Sequence, residues 1–148
     1  MMKCAVDLHI HSCLSPCADD DMTPCNIAGM AYVKHLDCIA LTDHNAAENL
    51  PAAALAAREM GVCLLPGIEV TSSEEVHILC YFPAVDPAVD FGRMIYDHLP
   101  PLPNNKRIFG NQMILGPEDE AQGELSKLLI QATDLSIVEI ERRCTEAG

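Results

Sequence analysis

Asp7, His9 and His11 alternate along a short apolar run and its exit. In an extended chain, successive side chains point to opposite faces, so residues two apart share a face. Two imidazoles placed that way can hold one metal ion, with a carboxylate beside them to orient or join them. Taken alone, such a pair is as readily explained by packed or solvent-facing histidines. Further along, however, Asp43-His44 follows a second apolar run, Glu69 a third, and His77 lies on a fourth. Mixed imidazole and carboxylate donors suit zinc, manganese or iron, and too few thiols stand with them for an iron–sulfur cluster. A multinuclear metal site is the economical expectation.

The loop after the first run adds the acidic triplet Asp19, Asp20 and Asp21, of which at least one carboxylate can reach the same place. Cys13, Cys17 and Cys25 share this loop at spacings of four and eight. Those spacings match no zinc pattern, so local packing is the expectation for these thiols. His35 falls at the end of a helical pattern, where a partly charged imidazole complements the helix dipole. His98 closes an amphipathic helix, and both histidines are expected to be structural.

Residues this far apart in sequence need strands that deliver them to one edge. Cys4 to His9 has the alternation of a strand and runs into the turn-rich SCLSPCADDDMTP. Thr23 offers a helix N-cap with Pro24 in the first turn, and the helical pattern ends near His35. Asp37 to Thr42 is a second strand. A helix from Leu50 to Met60 should stop at Gly61, which can take the left-handed conformation. Val62 to Leu65 is a third strand, continued by Ile68 to Thr71 beyond Pro66-Gly67. Strands separated by helices indicate parallel βαβ units, buried on both faces and therefore continuously apolar. The chain is thus expected to be α/β, and such sheets place sites at the C-terminal ends of their strands.

The alternation from Glu75 to Phe82 predicts a hairpin with the preceding strand. Phe91, Met94, Ile95 and His98 then mark one helical face. Residues 100–124 show little periodicity and are expected to be irregular, with at most one short strand at Gln112 to Leu115. Ser136 and Glu139 form a capping box before an apolar stripe of Ile137, Ile140 and Cys144, with Gly148 at the C-cap.

The composition restricts what such a site can serve. The 148 residues are 49% hydrophobic and carry a formal net charge of −13, which opposes binding to long nucleic acids and anionic membranes. The absence of Trp also leaves few stacking platforms for single strands. No apolar stretch approaches the ~20 residues that span a bilayer. The start MMKCAVDLHIHS lacks the charged-then-apolar design of a signal peptide. The eight cysteines fall on apolar runs as often as in loops, and a reduced, cytoplasmic protein is expected. A chain of this length buries enough surface to hold a core unaided, so a metal would be present for chemistry.

Four segments then resemble a known family, the polymerase and histidinol phosphatase (PHP) superfamily. Asp7-Leu8-His9-Ile10-His11-Ser12 is similar to its opening DLHxHS motif, and Thr42-Asp43-His44-Asn45 to its TDHN motif. Pro66-Gly67-Ile68-Glu69-Val70 resembles the third motif, and Glu75 to Phe82 the following EVHILxYF pattern. The resemblance covers residues 3–83 of what is expected to be a single domain over 1–148, with a helical and irregular segment from 84 onward. It implies the N-terminal portion of a distorted (β/α)7, TIM-like barrel.

The resemblance also implies up to three divalent ions, zinc, manganese or iron, held through His9, His11, Asp19, His44, Glu69 and His77, with Asp20 an alternative to Asp19. Asp7 is implied as an orienting residue, and Asp7, His9, His11, Asp43, His44 and Glu69 as the catalytic set. A later His and an Asp-x-His pair, expected of the family, have no counterpart after His98. This chain is therefore expected to supply only part of a trinuclear site and to expose apolar surface that favours homo-oligomers. The implied activity is hydrolysis of a phosphate ester, on a small phosphorylated or nucleotide-type substrate, by metal-activated hydroxide. A nuclease acting on short strands and a non-catalytic PHP module with a structural or interaction role are the alternatives.

Overall fold

The computed structural model describes residues 3–148 and builds its main sheet from four strands in sequence order. These are β1 (Val6–Ile10), β2 (Cys38–Leu41), β3 (Cys63–Thr71) and β4 (His77–Tyr81). The first three run parallel, and β4 returns antiparallel to β3. The connecting helices are α1 (Pro24–Val33) and α2 (Leu50–Met60), and α3 (Val85–Asp97) follows the hairpin. Thr23 caps α1 by accepting from the Asn26 amide, and Gly61 ends α2 at φ 70°, as the sequence dictates.

The sheet is curled. A flat sheet would hold β1 and β4 three strand spacings apart, ~14 Å. Yet the Tyr81 hydroxyl of β4 donates to the Leu8 carbonyl of β1 at 2.7 Å. The mixed α/β chain therefore forms a half-barrel sheet, with its core on one side. There Ile39, Leu41, Ile68, Val70 and Phe82 pack against Ile27, Phe91, Ile95 and Ile140, all nearly solvent-free. Each large apolar side chain so buried contributes ~1.5–3 kcal/mol from water exclusion alone. Gly67 lets β3 run without a break past its neighbours. A Cβ there would stand 2.8 Å from Thr42 Cγ2 and 3.1 Å from Tyr81 Cδ1.

Three expectations need correction. The first strand begins two residues later and ends one residue later, at Ile10, and its Val6 and Leu8 face solvent at the sheet edge. The stretch 100–124 is more ordered than its composition suggests. It holds a short helix, α4 (Lys106–Phe109), and a two-stranded unit of β5 (Met113–Leu115) and β6 (Ala121–Glu124). Strand β6 is exposed throughout, so it carries no apolar alternation for periodicity to find. In the last helix, α5 (Ile137–Ala147), the capping box forms as expected. Only Ile140 of its stripe is fully buried, however, and Ile137 remains 38% exposed.

The β5–β6 unit is tied to the start of α1 by a polar side chain. Asp119 accepts from Thr23 Oγ1 and from the Cys25 amide at the start of α1, where a carboxylate complements the helix dipole. All eight cysteines are free thiols. Among the described residues, no helix is long and apolar enough to cross a membrane.

Candidate metal centre

Strand ends and one loop assemble a single cluster. His9 lies in β1, with His11 just beyond its end. His44 follows β2 and is fixed by backbone pairing, since the Glu69 amide donates to the Asp43 carbonyl and the Asn45 amide donates to the Glu69 carbonyl. Glu69 lies within β3. His77 reaches the same edge from the first residue of its strand, not the last, because β4 is antiparallel and pairs His77 with Thr71. The hairpin expected from the alternation of Glu75 to Phe82 is what turns this first residue of β4 to the edge where β2 and β3 end.

Glu69 is the hub. Its Oε2 lies 3.1 Å from His9 Nε2, 2.8 Å from His11 Nε2 and 3.5 Å from His44 Nδ1, and its Oε1 lies 2.9 Å from His77 Nδ1. Burial would raise the pKa of this carboxyl. The hydrogen bonds from His11, His9 and His77 outweigh that and hold it well below the ordinary carboxylate range. Exposure is graded, from 48% for the His9 and His77 side chains to 6% for His44 and Glu69. The cluster is therefore a buried carboxylate at the floor of an open cleft. Two donor sets that meet here, His9/His11/Glu69 and His44/Glu69/His77, each place their ligand atoms within 4.8 Å of one another.

His44 gives the most direct indication that the cluster suits a cation. It is 5% exposed, and its Nδ1 is buried without a hydrogen-bond partner. Buried polar nitrogens are normally satisfied, because leaving one unpaired costs ~1–3 kcal/mol. Burial lowers the pKa of this imidazole to about 4, with His11 adding to the effect. A neutral ring with a free lone pair is what metal coordination requires, so the residues present fit a divalent ion.

Asp43, two residues before Asn45, faces the other way. Its Oδ1 accepts from the Ser12 amide at 2.7 Å and Ser15 Oγ at 2.6 Å, and its Oδ2 accepts from Ser12 Oγ at 2.7 Å. Burial pushes its pKa up, against the downward pull of the Ser12 and Ser15 hydrogen bonds. Ser15 Oγ accepts in turn from the His44 amide at 3.0 Å. Asp43 thus fixes the loop that carries His11 to the loop that carries His44.

Behind this pair, Asn45 takes φ 50°, a conformation asparagine tolerates. Its amide donates to the Leu129 and Gln131 carbonyls, and its Oδ1 accepts from the Thr71 amide. Asn49 bridges Ser12 Oγ, the Met113 carbonyl and the Leu115 amide. Gln112 donates to the Leu125 and Lys127 carbonyls and accepts from the Leu129 amide. These buttressing amides were not singled out from the sequence, where asparagine and glutamine look the same whether they cap a turn or stitch a core.

The remaining sequence candidates lie around the cluster rather than in it. Asp7 accepts from the His9 amide at 3.3 Å and, with Asp19, lines the cleft that His9 and His11 open into. Asp20 accepts from Asn111 Nδ2, away from the imidazoles. His98 Nδ1 pairs with Asp134 Oδ1 at 2.6 Å, and His35 follows α1 at φ 58°. Cys17, assigned to packing by its spacing, instead places its Sγ 2.8 Å from His11 Nδ1. No periodic signal could have found it, because it sits in a turn whose path only the folded loop defines.

No protein-family model matches the chain. It is 33% identical over 76 residues to a 5'-3' exoribonuclease of Haemophilus influenzae, covering 49% of this chain and 27% of that protein. It is 37% identical over 86 residues to a 3',5'-nucleoside bisphosphate phosphatase of Chromobacterium violaceum, covering 56% of this chain and 28% of that protein. The chain thus spans little more than a quarter of the length of either relative. Among solved structures, a lesion-specific endonuclease from Pyrococcus furiosus covers 96% of this chain and 32% of its own, with a TM-score of 0.55 at 19% identity, a likeness of fold.

Proposed function

We propose that this chain, which belongs to the polymerase and histidinol phosphatase superfamily, supplies metal ligands for hydrolysis of a phosphate ester on a small phosphorylated or nucleotide-type substrate. The observation that carries this reading is a single buried carboxylate, Glu69, met by four imidazoles at one sheet edge, with His44 Nδ1 unpartnered. His9, His11 and Glu69 would hold one divalent ion, and Glu69 with His77 would hold another through its second oxygen. Divalent ions supply water of lowered pKa as the nucleophile and neutralise the charge growing on phosphoryl oxygens.

The chain's own residues prepare for this. Glu69 stays ionised and compensates cationic charge. His44 is kept neutral by burial. Asp43, with Ser12 and Ser15, sets the distance between the two histidine-bearing loops and so acts as a positioning residue. Asp7 and Asp19 line the cleft and tune its charge. With a net charge of −13, the chain would repel a phosphate unless cations dominate locally. The half-barrel is read as the N-terminal part of a TIM-like barrel whose strand ends carry the site.

A nuclease reading draws on the similarity to an exoribonuclease, but the acidic surface favours small substrates. Two measurements test the proposal. Metal content after dialysis against manganese or zinc should be at or above one ion per chain. Replacing both His9 and His11 with Ala should remove that metal, together with any manganese-dependent release of phosphate from an aryl phosphate. A double variant that kept its metal and its phosphate release would overturn the reading.

A further inference from the structure

We propose that Cys17 is a metal ligand, its thiolate pairing with the His44 imidazole to form a third, softer position beside those centred on Glu69. The inference rests on the metal-binding reading above and assigns the loop's contribution to a thiol instead of an aspartate. Three observations support it. The donor atoms of His11, Cys17 and His44 all lie within 4.8 Å of one another. That bound is close to the ~4.6 Å that donors held at ~2.3 Å on opposite sides of one ion can span, so a small inward shift would let the three share an ion. Cys17 Sγ approaches His11 Nδ1 to 2.8 Å. No carboxylate of the loop joins any such donor set among the described residues.

A further observation concerns which imidazole is free. A neutral ring has one lone pair and serves one ion. His9 and His11 converge on Glu69 Oε2, and His77 on Oε1. His44 also approaches Oε2, at 3.5 Å, but its ring is 5% exposed and its Nδ1 makes no hydrogen bond there, which leaves that nitrogen available. It lies against His11, with ring centroids 4.4 Å apart at 85°. Cys17 is exposed and lines the cleft together with His11, so an ion it held would keep positions open to that cleft. A thiolate there changes selectivity, because sulfur favours zinc and related ions over manganese and magnesium.

Cobalt(II) titration of the whole chain tests this, because a cobalt–thiolate bond gives a near-ultraviolet charge-transfer band that imidazole and carboxylate ligands do not. The wild-type chain should show the band. Cys17→Ser should lose it and bind zinc at least about tenfold more weakly at one position, as even outer partners of ligands cost that much. Cys63→Ser, a substitution at the opposite end of the sheet, should keep the band. Cys17→Asp should retain cobalt without the band, which separates loss of the thiolate from loss of the fold. Cobalt bound by the wild-type chain without a band, or a band that survives in Cys17→Ser, would overturn the assignment while leaving the Glu69 centre standing. A wild-type chain that bound no cobalt would overturn both.

Discussion

Asp43 and Glu69 are two buried carboxylates at neighbouring strand ends, joined by a 3.0 Å hydrogen bond from the Glu69 amide to the Asp43 carbonyl, and they are used in opposite ways. Asp43 is saturated by two hydroxyls and an amide, all neutral donors that have no other need of it. Glu69 is surrounded by imidazoles, which can release it to a cation and turn their lone pairs to the same ion. Burial acts on both, yet it wins at Asp43, whose pKa rises, and loses at Glu69, whose pKa falls. Residue type and location at a strand end therefore do not distinguish a ligand from a scaffold. The chemistry of the partners does, because three of the roughly four acceptor positions of Asp43 are taken by fixed neutral donors, whereas the partners of Glu69 can turn to a cation.

The sharpest break of this comparison is exchange of the two carboxylates for amides. Glu69→Gln removes the charge that offsets the cation and should weaken zinc binding by more than about a hundredfold, beyond the loss expected for an outer partner. Asp43→Asn should weaken it by about tenfold or less, read by the same equilibrium dialysis. Equal losses would show that Asp43 is a ligand.

Stability should reverse that ranking. Asp43→Asn puts a donor where three donors already point, and should cost about 2–3 kcal/mol, read from urea unfolding of the metal-free chain. An unchanged midpoint would mean that the serine contacts carry little of the loop's order.

The metal-free chain should also lose stability as the pH falls from 6.5 toward 4. His44 has a folded pKa of about 4, below its ordinary 6.5, so in that window the unfolded chain binds a proton that the folded chain refuses. Glu69, with its depressed folded pKa, adds a loss in the same direction, but only below the ordinary range for Glu, about pH 4.3. His44→Gln should flatten the slope between pH 6.5 and 5. An unaltered slope would place the titration elsewhere.

The smallest effect belongs to the far end of the molecule. Ser136→Ala removes the α5 capping box and should cost about 1 kcal/mol with metal affinity untouched, which sets a baseline for changes that act on stability alone.

Much of the site was legible in the sequence because strand geometry fixes it locally. Period-two alternation alone puts His9 and His11 on one face, and the apolar runs before Asp43-His44 and around Glu69 mark parallel strands whose ends share an edge. The Thr23 cap, the Gly61 stop and the Ser136–Glu139 box follow from backbone groups that need partners within a few residues. Tertiary structure alone decided the rest. It curled the sheet until Tyr81 reached Leu8, and set the hairpin register that pairs His77 with Thr71. It gave Asp43 to Ser12 and Ser15, folded residues 112–131 onto Asn45 and Asn49, and swung Cys17 against His11. Each of these depends on a partner tens of residues away or on the path of an aperiodic loop. Local propensity carries no information about such meetings, because their free energy exists only once the two distant segments have packed together.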